Sequence, residues 1–268
     1  MIRRLLLGAF LAGCQGSPTS PPPLLIASSA NFSRTAGVLA KAFTQETGIP
    51  ATVVSSSTGK LYSQIEAGAP FDVFFAADTL RPALLARNGT ALPGSRWTYA
   101  RGVVVVWTPG SGSGGERAAG AVVAEPGDGG AGEPGAAESG AAEKAVLADP
   151  TNRVALANPK LAPYGVAAAA ILDALSSPAS RVQGENVLQA YQFAVSGNAQ
   201  AAVVSLSMVD RAPVWIVPDS LYPEVLQGAV VLRDTDATRS FKRFALSQQA
   251  ATIITDAGYA LPVGAQGR

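Results

Sequence analysis

Histidine is absent from this sequence of 268 residues, and cysteine occurs once, at Cys14. Histidine is the commonest general base and a frequent metal ligand, so its absence excludes Ser-His-Asp and Cys-His catalysis as well as His-ligated metals. The chain that follows Cys14 has no thiol, and therefore forms no disulfide and supplies no thiolate ligand. Only carboxylate and carbonyl oxygens remain as metal ligands.

Charged residues are also scarce. Asp, Glu, Lys and Arg make up 15% of the chain, and the formal net charge is +1 without a block of basic residues. This composition argues against nucleic acid and acidic membrane surfaces as partners. The hydrophobic content of 48% is typical of a globular chain with a substantial core, long enough for one large domain or two lobes.

The first apolar run is too short to span a membrane. Residues 5–12 are apolar and follow Arg3 and Arg4, whereas a transmembrane helix needs about 20 apolar residues. A positive segment before a short apolar run is typical of a secretory leader. The order Leu11-Ala12-Gly13-Cys14 resembles the bacterial lipobox, in which the cysteine becomes lipidated.

These features predict that residues 1–14 are a lipoprotein signal peptide and that Cys14 carries a lipid anchor. Residues 15–23 are rich in proline, which predicts an extended spacer between the anchor and the folded body. We therefore expect a protein held on the extracytoplasmic side of a membrane, periplasmic or at the cell surface, by lipid alone. The alternative is an ordinary signal peptide with an incidental cysteine.

Short apolar runs alternate with helical patterns along most of the chain. The pattern predicts strands at residues 24–27, 52–54 and 71–76, each followed by a helix. Because these strands are apolar nearly throughout, they indicate a parallel sheet covered by helices on both faces. The longest β-branched run covers residues 99–107. Further strands are predicted at residues 154–157, 201–204, 214–217 and 228–232, and an amphipathic helix at residues 240–257.

Residues 109–142 interrupt this alternation. They consist mostly of Gly, Ala, Glu and Pro, with almost no large apolar side chains. Such a segment cannot bury enough apolar surface to order itself. We expect a mobile surface insertion that takes no part in ligand binding.

Three polar turns lie between a predicted strand and the helix that follows it, at residues 28–31 (SSAN), 57–59 (STG) and 163–165 (PYG). Sheets in α/β proteins bind ligands at this edge, and a helix start offers unpaired N–H donors with about half a positive charge. A set of neutral donors suits a small, desolvated oxyanion. Ser, Thr and Asn are also the preferred helix caps, so a purely structural role is the competing interpretation.

Two carboxylates and three tryptophans have weaker functional signals. Asp72 and Asp78 flank the third predicted strand without a partner acid at recognisable spacing, which favours a solvated or helix-capping role. Trp97, Trp107 and Trp215 are expected to pack in the core or at its rim rather than to form a stacking platform.

Four segments, at residues 59–78, 91–102, 157–165 and 257–262, resemble the extracytoplasmic molybdate-binding proteins that supply ABC-type molybdate importers. The most specific run is QIEAGAPFDVFFAAD, which ends at Asp78, and the resemblance covers residues 24–262 apart from the insertion. It implies an α/β fold of the type II periplasmic-binding-protein kind. Each of two lobes would be a mainly parallel sheet flanked by helices, with the ligand in the cleft between them. Lobe 1 would comprise residues 24–101 with 228–268, and lobe 2 residues 102–227.

Carried over position by position, the resemblance implies a ligand shell of Asn31, Thr58, Tyr164 and Val187. Asn31 and Thr58 would donate hydrogen bonds from their side chains, and Tyr164 and Val187 from backbone N–H groups. Molybdate would thus be held as an oxyanion, without a resident metal or cofactor.

Two positions depart from the family pattern. Ala30 stands where threonine is frequent, and Ser205 stands where some members have a tyrosine whose hydroxyl reaches the ligand. A serine is shorter than that tyrosine. We expect either a weaker site or a replacement hydroxyl from Ser29 or Ser28.

The implied function is capture of molybdate, and of tungstate with it, and delivery to the permease of an ABC importer by a monomer that catalyses no reaction. Three alternatives stay open. One is a binding protein for another tetrahedral oxyanion such as sulfate. Another is a secreted hydrolase or phosphatase with Ser57 or Ser29 as the nucleophile and Lys60 as the base. The last is a structural lipoprotein with a vestigial cleft.

Overall fold

The computed structural model describes residues 22–109, 140–209 and 214–262. The predicted signal peptide, most of the proline-rich spacer and most of the insertion therefore lie outside the described residues. Within the described ranges, the strands form two five-stranded sheets with helices packed against them. No helix in these ranges is both long enough and apolar enough to cross a membrane.

The strands and helices alternate along most of the chain, as the sequence predicted. The strands are β1 (Leu24–Ser29), β2 (Ala51–Ser56), β3 (Val73–Phe75), β4 (Trp97–Gly102), β5 (Val104–Trp107), β6 (Arg153–Ala157), β7 (Ser180–Gly184), β8 (Ala201–Ser205), β9 (Val214–Ile216) and β10 (Val225–Val231). The helices are α1 (Ser33–Thr47), α2 (Thr58–Glu66), α3 (Leu80–Arg87), α4 (Ala141–Ala148), α5 (Pro163–Ala174), α6 (Val187–Val195), α7 (Asp236–Ala245) and α8 (Gln248–Asp256).

Both sheets are mainly parallel, as predicted, because four of the five strands in each run in the same direction, and one antiparallel strand makes each sheet mixed. In the first sheet, of order β2-β1-β3-β10-β4, β1 is parallel to β2 and β3, whereas β10 is antiparallel to β3 and β4. In the second, of order β7-β6-β8-β5-β9, β6 is parallel to β7 and β8, whereas β5 is antiparallel to β8 and β9. The antiparallel pairs arise because β5 and β10 directly follow the points at which the chain passes from one sheet to the other.

The β-branched run at residues 99–107 is divided between the two sheets. β4 ends at Gly102 in the first sheet, and β5 begins at Val104 in the second. A side chain at Gly102 has no room, because a Cβ there would lie 2.1 Å from the hydroxyl oxygen of Tyr164. The chain returns through β10, which begins at Val225 rather than at the predicted residue 228.

The prediction of a single helix at residues 240–257 is wrong. α7 and α8 are separate, because the hydroxyl of Ser247 accepts a hydrogen bond from the backbone N–H of Ala250 at 3.3 Å and begins a new helix. α7 itself begins earlier than predicted, at a capping box in which Thr235 and Thr238 bond each other's backbone N–H groups.

The predicted insertion ends two residues early. α4 begins at Ala141, and its residues Glu143 and Leu147 are buried. The apolar side chain of Leu147 joins the core of the second sheet, so this end of the Gly-rich segment is ordered by packing. Residues 110–139 lie outside the described ranges.

Aromatic rings form much of the core of the first sheet. The ring of Phe32 lies 4.5 Å from that of Tyr99 and 5.3 Å from that of Phe75, measured between centroids. The second core consists largely of alanine and valine. The packing role predicted for the tryptophans is confirmed: Trp215 is 6% exposed, Trp107 stacks on Tyr191, and Trp97 contacts Phe75 edge-on.

A glycine allows the start of α5 to approach β6. A Cβ at Gly165 would lie 2.4 Å from the carbonyl oxygen of Ala157 and 2.8 Å from the carbonyl carbon of Asn158. We expect Gly165→Ala to destabilise the fold by about 1–3 kcal/mol, because backbone atoms cannot move aside as a flexible side chain can. Differential scanning calorimetry of the ligand-free protein measures the effect as a lowered Tm.

Gly37 in α1 provides the matched control, since a Cβ there would meet no atom within 4 Å. Gly37→Ala should stabilise the protein by about 0.5–1 kcal/mol through helix propensity. Equal changes of Tm for the two variants would show that the close approach at Gly165 is not required.

Candidate functional site

Four helical segments begin around one small cavity. A short 3-10 turn (Ala30–Phe32) leads from β1 into α1, α2 follows β2, α5 follows β6, and α6 follows β7. The cavity is small and partly open to solvent. It is lined by Ser29, Ala30, Asn31, Ser57, Thr58, Ala77, Ala162, Pro163, Tyr164, Asn186 and Val187. This set contains residues from all three polar turns that the sequence singled out, and no acidic or basic side chain.

The helix starts give the cavity a positive electrostatic character without charged side chains. The first N–H groups of a helix have no helical acceptor, and the aligned peptide dipoles place about half a positive charge there. Thr58 and Val187 are the first residues of α2 and α6. Pro163 is the first residue of α5 and has no N–H, so Tyr164 is the first donor of that helix.

Thr58 is oriented to donate a hydrogen bond. Its side chain is buried, and its Oγ1 accepts the backbone N–H of Ala77 at 3.2 Å. The hydroxyl proton remains available for an acceptor in the cavity. The helix cap of α2 is the neighbouring Ser57, whose Oγ accepts the N–H of Lys60 at 3.4 Å, so the purely structural interpretation applies to Ser57 rather than to Thr58.

Ser29 supplies a second unused hydroxyl. It is 1% exposed, and its Oγ has no hydrogen-bond partner among the described residues. A buried polar group without a partner costs about 1–3 kcal/mol, so such a group calls for an acceptor from outside the chain. Ala30 also lines the cavity and has no polar side-chain atom. The expectation that Ser29 replaces the hydroxyl missing at Ala30 fits this geometry.

The amide of Asn31 is used within the protein. Its Nδ2 donates to Oε1 of Gln227 at 2.8 Å and to the hydroxyl of Tyr259 at 3.2 Å. Both amide hydrogens are therefore engaged within the protein, and the side-chain contact of Asn31 with the ligand stays a prediction. The donor that Asn31 can offer to the cavity in this arrangement is its backbone N–H at the start of the turn.

Ser205 does not line the cavity. Its Oγ lies 2.9 Å from the hydroxyl of Tyr164 and 2.9 Å from Oγ of Ser207. The side chain of Tyr164 thus extends away from the ligand position, and its backbone is left as the group that faces the cavity. Burial raises the pKa of the Tyr164 hydroxyl well above its ordinary value, so this group stays neutral at physiological pH.

Sequence reasoning missed two neighbours of the site. Asn186 caps α6, since its Oδ1 accepts the N–H of Gln189 at 3.0 Å. An asparagine directly before an apolar helical pattern was the available signal. The backbone N–H of Ala77 donates a hydrogen bond to the Thr58 hydroxyl. An alanine in the sequence gives no signal of such a contact, because the contact uses the backbone.

Lys60, the base of the hydrolase alternative, and the two carboxylates Asp72 and Asp78 are engaged in other contacts. Nζ of Lys60 lies 2.6 Å from a carboxylate oxygen of Glu185. Asp78 accepts the N–H of Arg81 at 2.8 Å, and Asp72 accepts the N–H of Leu25 at 2.7 Å. The helix-capping interpretation of Asp78 is confirmed, and Asp72 links backbone elements. Among the described residues, no three His, Cys, Asp or Glu side chains form a group that could hold a metal ion.

A larger depression lies on the outer side of the first sheet. It is lined by Leu92, Pro93, Gly94, Ser95, Val231, Asp234, Thr238, Arg239 and Lys242. Asp234 and Arg239 pair with each other there. Because it contains no helix start from the second sheet and no unpaired buried hydroxyl among the described residues, we do not assign the ligand to it.

Comparison with known proteins defines the class. A family described as bacterial extracellular solute-binding protein matches residues 24–260. The chain belongs to this family. Within this family the chain is similar to molybdate-binding proteins. The molybdate-binding protein ModA of Rhodobacter capsulatus is 33% identical in an alignment of 252 positions that covers 90% of each chain. The ModA protein of Azotobacter vinelandii is 33% identical in an alignment of 269 positions that covers 95% of each chain.

Solved structures agree with this placement. The periplasmic molybdate-binding protein of Azotobacter vinelandii superposes with a TM-score of 0.73 at 30% identity, covering 89% of this chain and 99% of that one. The sulfate-binding protein SubI from Mycobacterium tuberculosis superposes with a TM-score of 0.65 at 14% identity, covering 91% and 88%. The latter likeness concerns the fold alone.

Substitution of Thr58 tests directly whether its hydroxyl binds the anion. Hydrogen bonds to charged groups contribute about 1.5–3 kcal/mol, so Thr58→Ala should weaken binding of molybdate, the ligand named for the relatives, by about ten- to a hundredfold. Thr58→Ser keeps the hydroxyl and should bind within a few-fold of wild type. Isothermal titration calorimetry well below the Tm of each variant measures both.

Ser57→Ala is the control for the capping role. Loss of that cap should lower stability by about 1 kcal/mol and affect affinity less than Thr58→Ala does. If Thr58→Ala is destabilised but binds molybdate normally, the hydroxyl is structural and the assignment of Thr58 fails.

Proposed function

We propose that this protein captures molybdate, and tungstate with it, outside the cytoplasm and delivers it to the permease of an ABC importer. The observation that carries the proposal is the convergence on one uncharged cavity of four helical starts and two buried hydroxyls, those of Thr58 and Ser29, whose protons have no acceptor among the described residues. Relatives that share a third of their residues with this chain over at least 90% of its length are molybdate-binding proteins.

The donor set suits a fully desolvated dianion. Backbone N–H groups of Tyr164 and Val187 approach from the second sheet, and those of the 30–32 turn approach from the first together with the two hydroxyls. Fixed dipoles of this kind stabilise an anion without a mobile counter-ion. Hydrogen phosphate carries a proton, which would face a site that offers only donors. Sulfate is smaller than molybdate, so its hydrogen bonds to the same donors would be stretched.

The two sheets, each with its helices, are proposed as the two lobes, and they touch beside the cavity in a way that supports a closing cleft. The N–H of Gly59 donates to the carbonyl of Leu161 at 2.9 Å, and the pair of Lys60 and Glu185 lies at the rim. An exposed ion pair contributes little energy. The backbone bond and the ligand are therefore the main links at this edge, as expected for hinge closure.

A panel of oxyanions tests the proposed function. In calorimetric titrations of the purified protein, molybdate and tungstate should each bind one equivalent per chain, and sulfate and phosphate should bind at least about a hundredfold more weakly. Sulfate should bind more weakly because it is smaller than molybdate, and phosphate because its proton faces a site of donors. Sulfate binding as tight as molybdate binding would replace the proposal with a sulfate-binding function, and absence of binding by all four would favour a structural lipoprotein.

The anchor is a separate proposal, supported by the Leu-Ala-Gly-Cys order at residues 11–14. We expect metabolic labelling with a radioactive fatty acid to mark the wild-type protein and not Cys14→Ser, because the thiol is the attachment point. The variant should accumulate as a soluble protein or an uncleaved precursor. Equal labelling of the two proteins would exclude lipidation at Cys14.

A further inference from the structure

Six polar residues behind the cavity form a closed ring of hydrogen bonds, here called the hinge ring. Asn31 donates to Gln227 at 2.8 Å, and Gln227 donates to the hydroxyl of Tyr164 at 3.3 Å. From Tyr164 the ring continues through Ser205 and Ser207 to Tyr259, with separations of 2.9, 2.9 and 2.8 Å. Tyr259 closes it by donating to the backbone carbonyl of Asn31 at 2.7 Å.

The donors and acceptors of the hinge ring have one consistent direction. Because Gln227 donates to Tyr164, the Tyr164 hydroxyl can donate to Ser205, Ser205 to Ser207, and Ser207 to Tyr259. Each hydroxyl then donates one hydrogen bond and accepts at least one. Fully satisfied buried networks of this kind polarise one another and specify a single arrangement.

The hinge ring joins the two sheets. Tyr259 belongs to the core of the first sheet, and Asn31 follows its strand β1. Tyr164 and Ser205 come from α5 and β8 of the second. Gln227 lies on the returning strand β10, where the pairing with β4 shifts register between residues 227 and 228. Its Oε1 also accepts the hydroxyl of Tyr99 at 2.9 Å, so its amide is held from three sides.

Two members of the hinge ring also line the anion cavity. Asn31 and Tyr164 face the cavity from opposite sheets, yet the polar ends of their side chains are used within the ring. Gln227 and Tyr259 do not line the cavity, and both are almost completely buried. The ring therefore fixes the spacing of two turns that present backbone N–H groups to a ligand, through residues that never touch that ligand.

We propose that Gln227 is a positioning residue that couples anion binding to closure of the two lobes by tying the turns of Asn31 and Tyr164 together. The proposal rests on the proposed oxyanion-binding function. A ring that bridges the lobes stabilises the closed state over an open one and holds the ligand in. Its loss speeds release more than it slows capture, as is usual for changes that leave the encounter surface intact.

The hinge ring is neutral over the physiological pH range. Burial raises the pKa of Tyr259 to about 12 and that of Tyr164 well above its ordinary value. An ionised tyrosine would place a negative charge beside the anion and weaken binding, and the raised values move that event to strongly alkaline pH.

Two variants outside the cavity test the proposal. Gln227→Met keeps a similar volume and removes both polar ends, and Tyr259→Phe removes one hydroxyl on the far side of the ring. Stopped-flow measurements should show molybdate dissociating about tenfold faster from Gln227→Met and several-fold faster from Tyr259→Phe, with association changed less than about threefold. Small-angle X-ray scattering should show less compaction on adding molybdate than in wild type.

Tyr222→Phe is the matched control, because this buried tyrosine bonds Asp219 at 2.9 Å and lies outside the hinge ring. It should lose stability without a change in dissociation rate. Because both test variants break one ring, their double mutant should dissociate no faster than Gln227→Met within about twofold, rather than at the product of the two effects.

The outcomes separate the two claims. Failure of the wild-type protein to bind molybdate overturns the proposed function and this inference with it. Normal wild-type binding with unchanged dissociation and compaction in both variants overturns the inference alone. A lowered Tm of the ligand-free variants without faster release, or multiplicative effects in the double mutant, assigns Gln227 a merely structural role and also overturns it.

Discussion

Backbone N–H groups at the starts of four helical segments face one another across a small space, and this arrangement constrains the rest of the structure. Each start carries partial positive charge and donors that lack helical acceptors. Buried donors of this kind are costly when they have no acceptor. A small oxyanion removes both costs at once, which explains why the lining contains hydroxyls and amides but no lysine, arginine or histidine.

Small residues make this convergence possible. Ala30, Ala77 and Ala162 line the cavity, so little side-chain bulk separates the backbone N–H groups from the ligand position. At the cavity's edge, a Cβ on Gly59 would lie 3.1 Å from the carbonyl oxygen of Leu161, the atom that its own N–H bonds. The alanine at position 30 adds no polar group, and the adjacent Ser29 places a buried hydroxyl at the same turn.

Patterns formed by neighbouring residues in the sequence predicted much of the fold and part of the site. The alternation of apolar strands and helices is visible in the sequence, and strand ends followed by Ser29, Thr58 and Tyr164 identified the turns that meet at the cavity. The same patterns failed for features that depend on packing or pairing between residues far apart in the sequence. They predicted one helix at residues 240–257, where the chain forms two, and they did not foresee the antiparallel strand in each sheet.

The sequence by itself determined the chemistry that the site can use: neutral hydroxyl and backbone donors, without histidine or a thiol, at the starts of helices. These properties follow from residue type and from neighbours a few positions away, because helix starts and caps are local. Tertiary structure alone decided which polar residues line the cavity and which side chains bond one another. Asn31 meets Gln227 across 196 positions of the chain, and only folding of both sheets brings their side chains within hydrogen-bonding distance.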